Sequence, residues 1–371
     1  MPTEQPVAFD EPETDVALWA IVFAGGIGSR FWPLSTPARP KPLLALVSEQ
    51  TLIEETVGRL QPTIPPERVL ILTSRDIAPA IRSVTKDVPD ENVLVEPRPL
   101  GTAAALAWGA QELMRRAGPS AMCVAVHADL AVDFPEEFRR TLRRAAAYAA
   151  REAAMVSVGI IPSRPETGFG YIVPGEPLDA DYPLARGGVV TVARYVEKPS
   201  ELEALGMIDD GCRWHGGILV GSAETMLAEL RAHTPEVAGG LDALAQGNLP
   251  GFVGMVRATS LERGLLERTE RLLVIQGEFG WDDVGTWASL RRARELDDDG
   301  NGAVGHVHFV EADCNVVHAE RGTVVVYGVS RMLVVTLDGL TFVTSLDRAT
   351  DLRPLLDALP GSMRIHPTGP Q

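Results

Sequence analysis

The sequence predicts an α/β protein, with a Rossmann-like, mixed and mostly parallel sheet flanked by helices and a small β-rich domain toward the C-terminus. Three observations predict this. Short apolar runs alternate with amphipathic stretches through the first half. The first of those runs ends in a glycine cluster. Past the polar segment DDDGNG, Asp297 to Gly302, closely spaced β-type runs are punctuated by Gly and Asp-Gly.

Taken in order, ALWAIVFA (17–24) is a continuous apolar run of the kind found in strands buried on both faces. TLIEETVGRL (51–60) places Leu52, Ile53, Thr56, Val57 and Leu60 on one helical face. RVLILTS (68–74) is a second strand. Thr102 opens a helix running to Gly118, with the threonine as N-cap and the glycine just past the end. AMCVAVHAD (121–129) is a third strand, and Pro135 lies in the first turn of a long helix. This β-α-β-α order needs crossover connections, the pattern of a parallel sheet with helices on both faces. From Met155 to Leu290 the pattern is mixed, with MVSVGII, GGVVTVARYVE and WHGGILVG as strands and SAETMLAELRAH as a helix. Residues 16–296 make one large domain and 302–359 a β-rich one, with a disordered tail at 1–15 and a mobile end at 360–371.

A chain of 371 residues is long enough for a large core and a smaller second unit. The net charge of −16 argues against a general binder of nucleic acid or membrane surfaces. An anionic ligand must then meet a local cluster of Arg, Lys or metal. Cys123, Cys212 and Cys314 match no metal-site spacing and read as small buried residues in a reducing compartment. Val16–Ala24 is too short to span a bilayer, and the acidic first fifteen residues lack a basic leader start. The expected location is the cytoplasm.

AGGIGSRFWP follows the first strand, so it lies at the carboxyl edge of the sheet, where open α/β folds bind ligands. Gly25, Gly26 and Gly28 let backbone N–H groups approach a ligand closely. The stretch fails as a dinucleotide fingerprint, because Pro33 follows too soon, and as a Walker loop, because no Gly-Lys-Ser/Thr follows. Arg30 and Lys41 flank a rigid proline-rich segment. Together with the loop amides they suit a triphosphate, Arg by its bidentate fork and Lys as a point charge. A plain glycine turn at a strand end is the alternative.

GGIGSRFWPLSTPARPKPLLAL resembles the signature G-G-x-G-x-R-x-x-P-L-S…P-K-P-L of the sugar-1-phosphate nucleotidylyltransferases. The likeness is to the branch that transfers guanylyl groups to mannose 1-phosphate, and it extends in order from about Ala17 to Leu359. It implies the nucleotide-diphospho-sugar transferase fold and a small β-helix-like C-terminal domain that supports homodimers in relatives. The implied activity transfers GMP from GTP to α-D-mannose 1-phosphate, giving GDP-mannose and pyrophosphate, with Mg²⁺ as cofactor.

The remaining motifs take roles from this resemblance. LVEPRPLGTAAALAW matches a base-reading segment that includes Glu96, Gly101 and Thr102. A carboxylate accepts only, so Glu96 suits the adjacent N1–H and N2 donors of guanine and disfavours adenine. A solvated strand-end Glu is the plain alternative. HADLAVDF keeps the aspartate of the family's P-A-D-H block, which makes Asp129 a Mg²⁺ ligand. EFGWDDVGTW supplies the second ligand, Asp283, where two carboxylates with retained waters suit Mg²⁺. ETGFGYI brings Gly168 and Gly170 to the sugar, with a hairpin glycine pair as the alternative. YVEKPS assigns Glu197 to sugar hydroxyls and Lys198 to the sugar's phosphate. CRWHGGI departs from the family's W-N-S-G-I: His215 either bonds the sugar or packs internally. That departure leaves open a heptose- or glucose-type sugar phosphate as substrate. A non-catalytic nucleotide-sugar sensor is the alternative of another class, and the joint retention of Arg30, Lys41, Asp129, Lys198 and Asp283 argues against it.

Overall fold

The computed structural model describes residues 17–26, 29–36, 39–180, 184 and 187–364. The expected tail 1–15, Gly28 and residues 365–371 of the expected mobile end lie outside these. The chain divides into two compact units. One contains the chain up to Ile21, Leu100–Ala125 and Glu136–Glu278; the other contains Val22–Pro99, Val126–Pro135 and the chain from Phe279. Two of the boundaries fall inside strands β1 (Leu18–Phe23) and β4 (Met122–His127).

In the unit that begins at Val22, β2 (Val69–Ser74) and β3 (Val93–Glu96) pair in parallel, with Ser74 level with Glu96 at their carboxyl ends. The Ala24 amide donates to the Leu72 carbonyl at 2.8 Å and the Ala128 amide to the Phe23 carbonyl at 3.0 Å. The carboxyl ends of β3, β2, β1 and β4 therefore stand in that order along one edge. The helix Leu52–Leu60 has the predicted buried face, and Thr51 starts it through a capping box with Glu54.

The same unit carries β12 (Gly302–Val310), β13 (Val316–Tyr327), β14 (Met332–Leu337) and β15 (Leu340–Ser345). The first three run parallel and the last is antiparallel. The turns before β12 and β13 stack: Asn315 Nδ2 donates to Asn301 Oδ1 at 3.0 Å, and Asn301 Nδ2 donates to the Ala312 carbonyl at 2.9 Å. These buried amides satisfy backbone groups that no ladder reaches. Val316, Leu333, Val335 and Leu337 of this sheet share one core with Phe31, Trp32, Leu34, Leu44 and Leu46 of the segment after β1. That segment thus rests on the C-terminal sheet.

In the other unit, β6 (Met155–Ile160), β7 (Gly170–Pro177), β8 (Val189–Glu197), β9 (Arg213–Ser222) and β10 (Leu272–Gln276) are ordered β9-β6-β10-β8-β7, and β7 also pairs with β9. Only β6 and β10 are parallel in this set. β10 escapes sequence reading because five buried residues in a row carry no period that separates a strand from a helix. One sequence expectation fails here. Thr102 is the first residue of the helix Thr102–Ala117, and Gly101 holds the N-cap position without a side-chain bond. Among the described residues, no helix is long and apolar enough to cross a membrane.

Candidate active site

The turn after β1 leaves Gly25 and Gly26 exposed at the edge where β3 ends in Glu96. A Cβ on Gly25 would lie 3.6 Å from Glu96 Oε2, so the glycine backbone and this carboxylate are neighbours. Asp129 follows β4 two residues past His127. Lys41 begins a short 3-10 turn whose three residues are all buried. Its ammonium donates to Asp129 Oδ2 at 2.6 Å and to the Asp283 carbonyl at 3.2 Å. The segment is not extended throughout. Thr36 and Arg39 close a tight turn by mutual backbone bonds of 3.0 Å, and only then does extended Pro40 (φ −72°, ψ 164°) lead into Lys41.

Asp129 and Asp283 are far apart in sequence, and a two-residue ribbon joins them. β5 (Ala131–Val132) pairs antiparallel with β11 (Trp281–Asp282), placing Asp282 opposite Ala131. Continued by one residue, that register sets Asp283 opposite Leu130, the neighbour of Asp129. Asp282 and Asp283 have different tasks. Asp282 accepts from Arg292 Nε at 2.8 Å and from the Val284 amide at 3.0 Å. Val284 has φ of 43°, a left-handed conformation that a β-branched residue adopts at a cost of about 1–3 kcal/mol. Gly285 has no Cβ where one would overlap Asp283 Oδ2. The backbone is thus bent to aim Asp283. Sequence reasoning did not find Arg59, which is buried on the helix Leu52–Leu60 and donates to the Leu130 carbonyl, next to Asp129.

Burial raises the pKa of Asp129, but the Lys41 ammonium and then His127 outweigh it and hold the carboxyl below its usual range. Asp283 goes the other way, to about 6, through burial and then the Asp282 charge; Lys41 opposes this and Asp129 adds to it. Two carboxylates that feel each other's charge and share the influence of one ammonium favour a further cation. Among the described residues no group of three or more His, Cys, Asp or Glu is placed to hold a metal. Two carboxylates would leave most of a six-coordinate shell to water, which is how Mg²⁺ is commonly held.

Arg30 is exposed. It lines a cavity of about 390 Å³ with Thr350, Asp351, Leu352, Arg353 and Leu356. Gly101 and Thr102, expected at the base, have structural partners in their own unit. Gly101 has φ of 81°, and a Cβ there would overlap the Thr259 carbonyl oxygen. The Thr102 hydroxyl accepts from the Leu261 amide at 2.7 Å.

The expected sugar-side residues form a cluster within the other unit. Glu197 ends β8, level with Gly170 of β7. Its carboxylate bonds Lys198 Nζ at 2.8 Å and accepts from Tyr195 Oη at 3.4 Å. Burial raises the Glu197 pKa, and Lys198 counters it. Lys198 itself has φ of 53°, and its side chain stays 53% exposed, so the ammonium remains reachable. His215 is buried, with Nδ1 2.7 Å from Ser157 Oγ and its ring 5.8 Å from that of Tyr195. Gly168 is exposed, and its amide donates to Glu166 at 3.2 Å. Gly170 is required for a reason the sequence hides: a Cβ would overlap Tyr195 Oη and come within 2.9 Å of Glu197 Oε2. Gly170→Ala is expected to raise KM for a sugar 1-phosphate about tenfold, about 1.4 kcal/mol, with a smaller change in kcat. Adding Tyr195→Phe removes the nearest obstructing atom and should recover part of the loss; initial-rate kinetics on both variants check this.

A family model described as nucleotidyl transferase matches residues 19–300. The mannose-1-phosphate guanylyltransferase of Escherichia coli K12 is 29% identical over 359 residues, 92% of this chain and 73% of that protein. The alginate biosynthesis protein AlgA of Pseudomonas putida is 30% identical over 351 residues, 91% of this chain and 71% of that protein. A crystal structure of a Thermus thermophilus protein, described as mannose-1-phosphate geranyltransferase, aligns with a TM-score of 0.83 at 33% identity, over 92% of this chain and 99% of that one.

Proposed function

The chain belongs to the nucleotidyl transferase family, and within it we propose that the enzyme transfers GMP from GTP to α-D-mannose 1-phosphate, releasing pyrophosphate. The observation that carries the reading is the meeting of Asp129, Asp283 and Lys41 at the strand edge that also holds Gly25 and Glu96. The names of the similar proteins support mannose 1-phosphate as the acceptor. Residues 16–296 are taken as the catalytic part and 302–359 as its C-terminal companion.

In this reaction a phosphate oxygen of the sugar 1-phosphate attacks the α-phosphorus of GTP in line. A new P–O bond forms, the α–β bridging bond breaks, and its electron pair leaves with pyrophosphate. Both reactants are anionic, so the work is positioning and neutralisation of charge. Asp129 and Asp283 hold Mg²⁺, which when bound supplies Lewis-acid stabilisation of phosphate charge. Arg30, Lys41 and the Gly25–Gly26 amides hold the β- and γ-phosphates. Lys198 positions the attacking phosphate, and Glu197 takes sugar hydroxyls. Glu96 accepts from the guanine edge. Glu96→Gln, which puts an amide donor against a guanine donor, should weaken the preference for GTP over ATP by about 1–3 kcal/mol. Competition kinetics with the two nucleotides read this; an unaltered preference removes Glu96 from the base site.

His215 favours a second reading, in which the acceptor is another sugar 1-phosphate. Its Nδ1 is engaged by Ser157, which an amide at that position would meet differently. The deciding experiment is pyrophosphate release with GTP, Mg²⁺ and a panel of mannose, glucose and heptose 1-phosphates. Mannose 1-phosphate should turn over fastest. Turnover of another sugar with mannose 1-phosphate inert would transfer the assignment, and silence across the whole panel would favour the sensor.

A further inference from the structure

The segment that carries Lys41 is held by the helix Trp287–Ala293 with its capping residue Arg294, and by the C-terminal sheet through the shared core. Trp287 Nε1 donates to the Trp32 carbonyl at 3.1 Å. Arg294, almost fully buried, donates to the Leu46 carbonyl at 2.8 Å and to the Val317 carbonyl at 3.2 Å, and lies 3.1 Å from His318 Nδ1. These bonds fix Trp32 and Leu46 on either side of the tight turn. The turn itself is caught at its closing residue. Arg39 Nη1 pairs with Glu320 Oε1, and His318 Nε2 stands 3.7 Å from the same oxygen. Glu320 and His318 are both on β13.

Arg39 is two residues from Lys41 with Pro40 between them and Pro42 after. Proline rings lock φ, so a shift at Arg39 reaches Lys41 with little backbone slack to absorb it. The Lys41 ammonium has a narrow target, the gap between Asp129 Oδ2 and the Asp283 carbonyl. We propose that Glu320 is a positioning residue for the reaction: through Arg39 the C-terminal sheet sets where the Lys41 ammonium stands. Arg39 thereby serves as the handle of the loop and not as a ligand for substrate phosphates. The inference rests on the catalytic role assigned to Lys41 above. An exposed ion pair adds little stability by itself, so the pair's effect should appear in turnover more than in melting.

The test uses the full chain as Glu320→Ala, Arg39→Glu and the swapped double variant Arg39→Glu/Glu320→Arg, with hydrogen exchange across residues 36–46 and steady-state kinetics. Glu320→Ala should speed exchange in that segment and lower kcat five- to tenfold, with KM for the sugar 1-phosphate changed less than twofold. The double variant should recover at least half of the kcat lost by Arg39→Glu. Unchanged exchange in Glu320→Ala overturns the inference. So does a kcat unaltered or raised in Glu320→Ala, which would mean that Arg39 acts on substrate and is only restrained by Glu320. A double variant no better than Arg39→Glu alone points the same way. An inactive parent on every sugar phosphate counts against the proposed reaction, and the exchange measurement still reads the hold of Glu320 on Arg39.

Discussion

Asp283→Asn is expected to lower kcat by about 10³-fold, the several kcal/mol that a correctly held Lewis acid contributes to phosphate-charge stabilisation. Stability should follow a different course. The folded protein raises the Asp283 pKa to about 6, chiefly by burial and by the neighbouring Asp282 charge. A raised folded pKa means that the carboxyl's contribution is present at low pH and is lost as pH rises through the folded value. The amide carries no such loss. In chelator at pH 7 the variant should therefore melt at or above the parent, and the difference should shrink as pH falls below about 6 toward the unfolded carboxyl range. Thermal melts across that window, with pyrophosphate-release assays in Mg²⁺, check both halves. Full turnover in the variant would remove Asp283 from the metal pair.

Lys41→Gln should also abolish most turnover, about 10²–10³-fold, because in the proposed reaction the ammonium would neutralise phosphate charge that builds in the transition state. Here stability falls as well. Lys41 is the leading attractive influence that keeps Asp129 ionised against its burial. The Asp129 side chain is 33% exposed, so solvent softens the loss of its partner. The expected cost is about 1–3 kcal/mol by denaturant melts at pH 7. Lys41→Arg is not expected to rescue, since the side chain is only 9% exposed and a planar fork is larger than the compact ammonium it would replace. A Lys41→Gln enzyme with parental turnover would assign the phosphate contact to Arg30 alone.

Much of the fold was legible because its signals are local. Apolar runs became β1, β2, β4, β6, β8 and β9, and the Thr51 capping box opens the helix whose face the spacing predicts. The stacked turns of the C-terminal sheet were not legible. Asn301 and Asn315 mark the stacking, and two asparagines do not make a repeat. The site divides in the same way. Gly25, Glu96, Asp129 and Asp283 could be named because motif order carries them, whereas Arg59 and Glu320 could not, because nothing near them in the sequence marks their partners.

The sequence by itself determined the α/β class, the glycine turn after the first strand, the order of the motifs and the chemical character of each candidate group. Those follow from periodicity, turn chemistry and side-chain type, which are properties of neighbouring residues. The tertiary structure alone decided the company those groups keep. It paired Lys41 with Asp129, gave Asp282 to Arg292, gave Gly170 to the Tyr195 hydroxyl and Thr102 to Leu261, and tied Arg39 to Glu320. The Arg39–Glu320 pair spans 281 residues of chain. Such contacts exist only once the ladders and the shared core have fixed where each segment runs, so no local pattern encodes them.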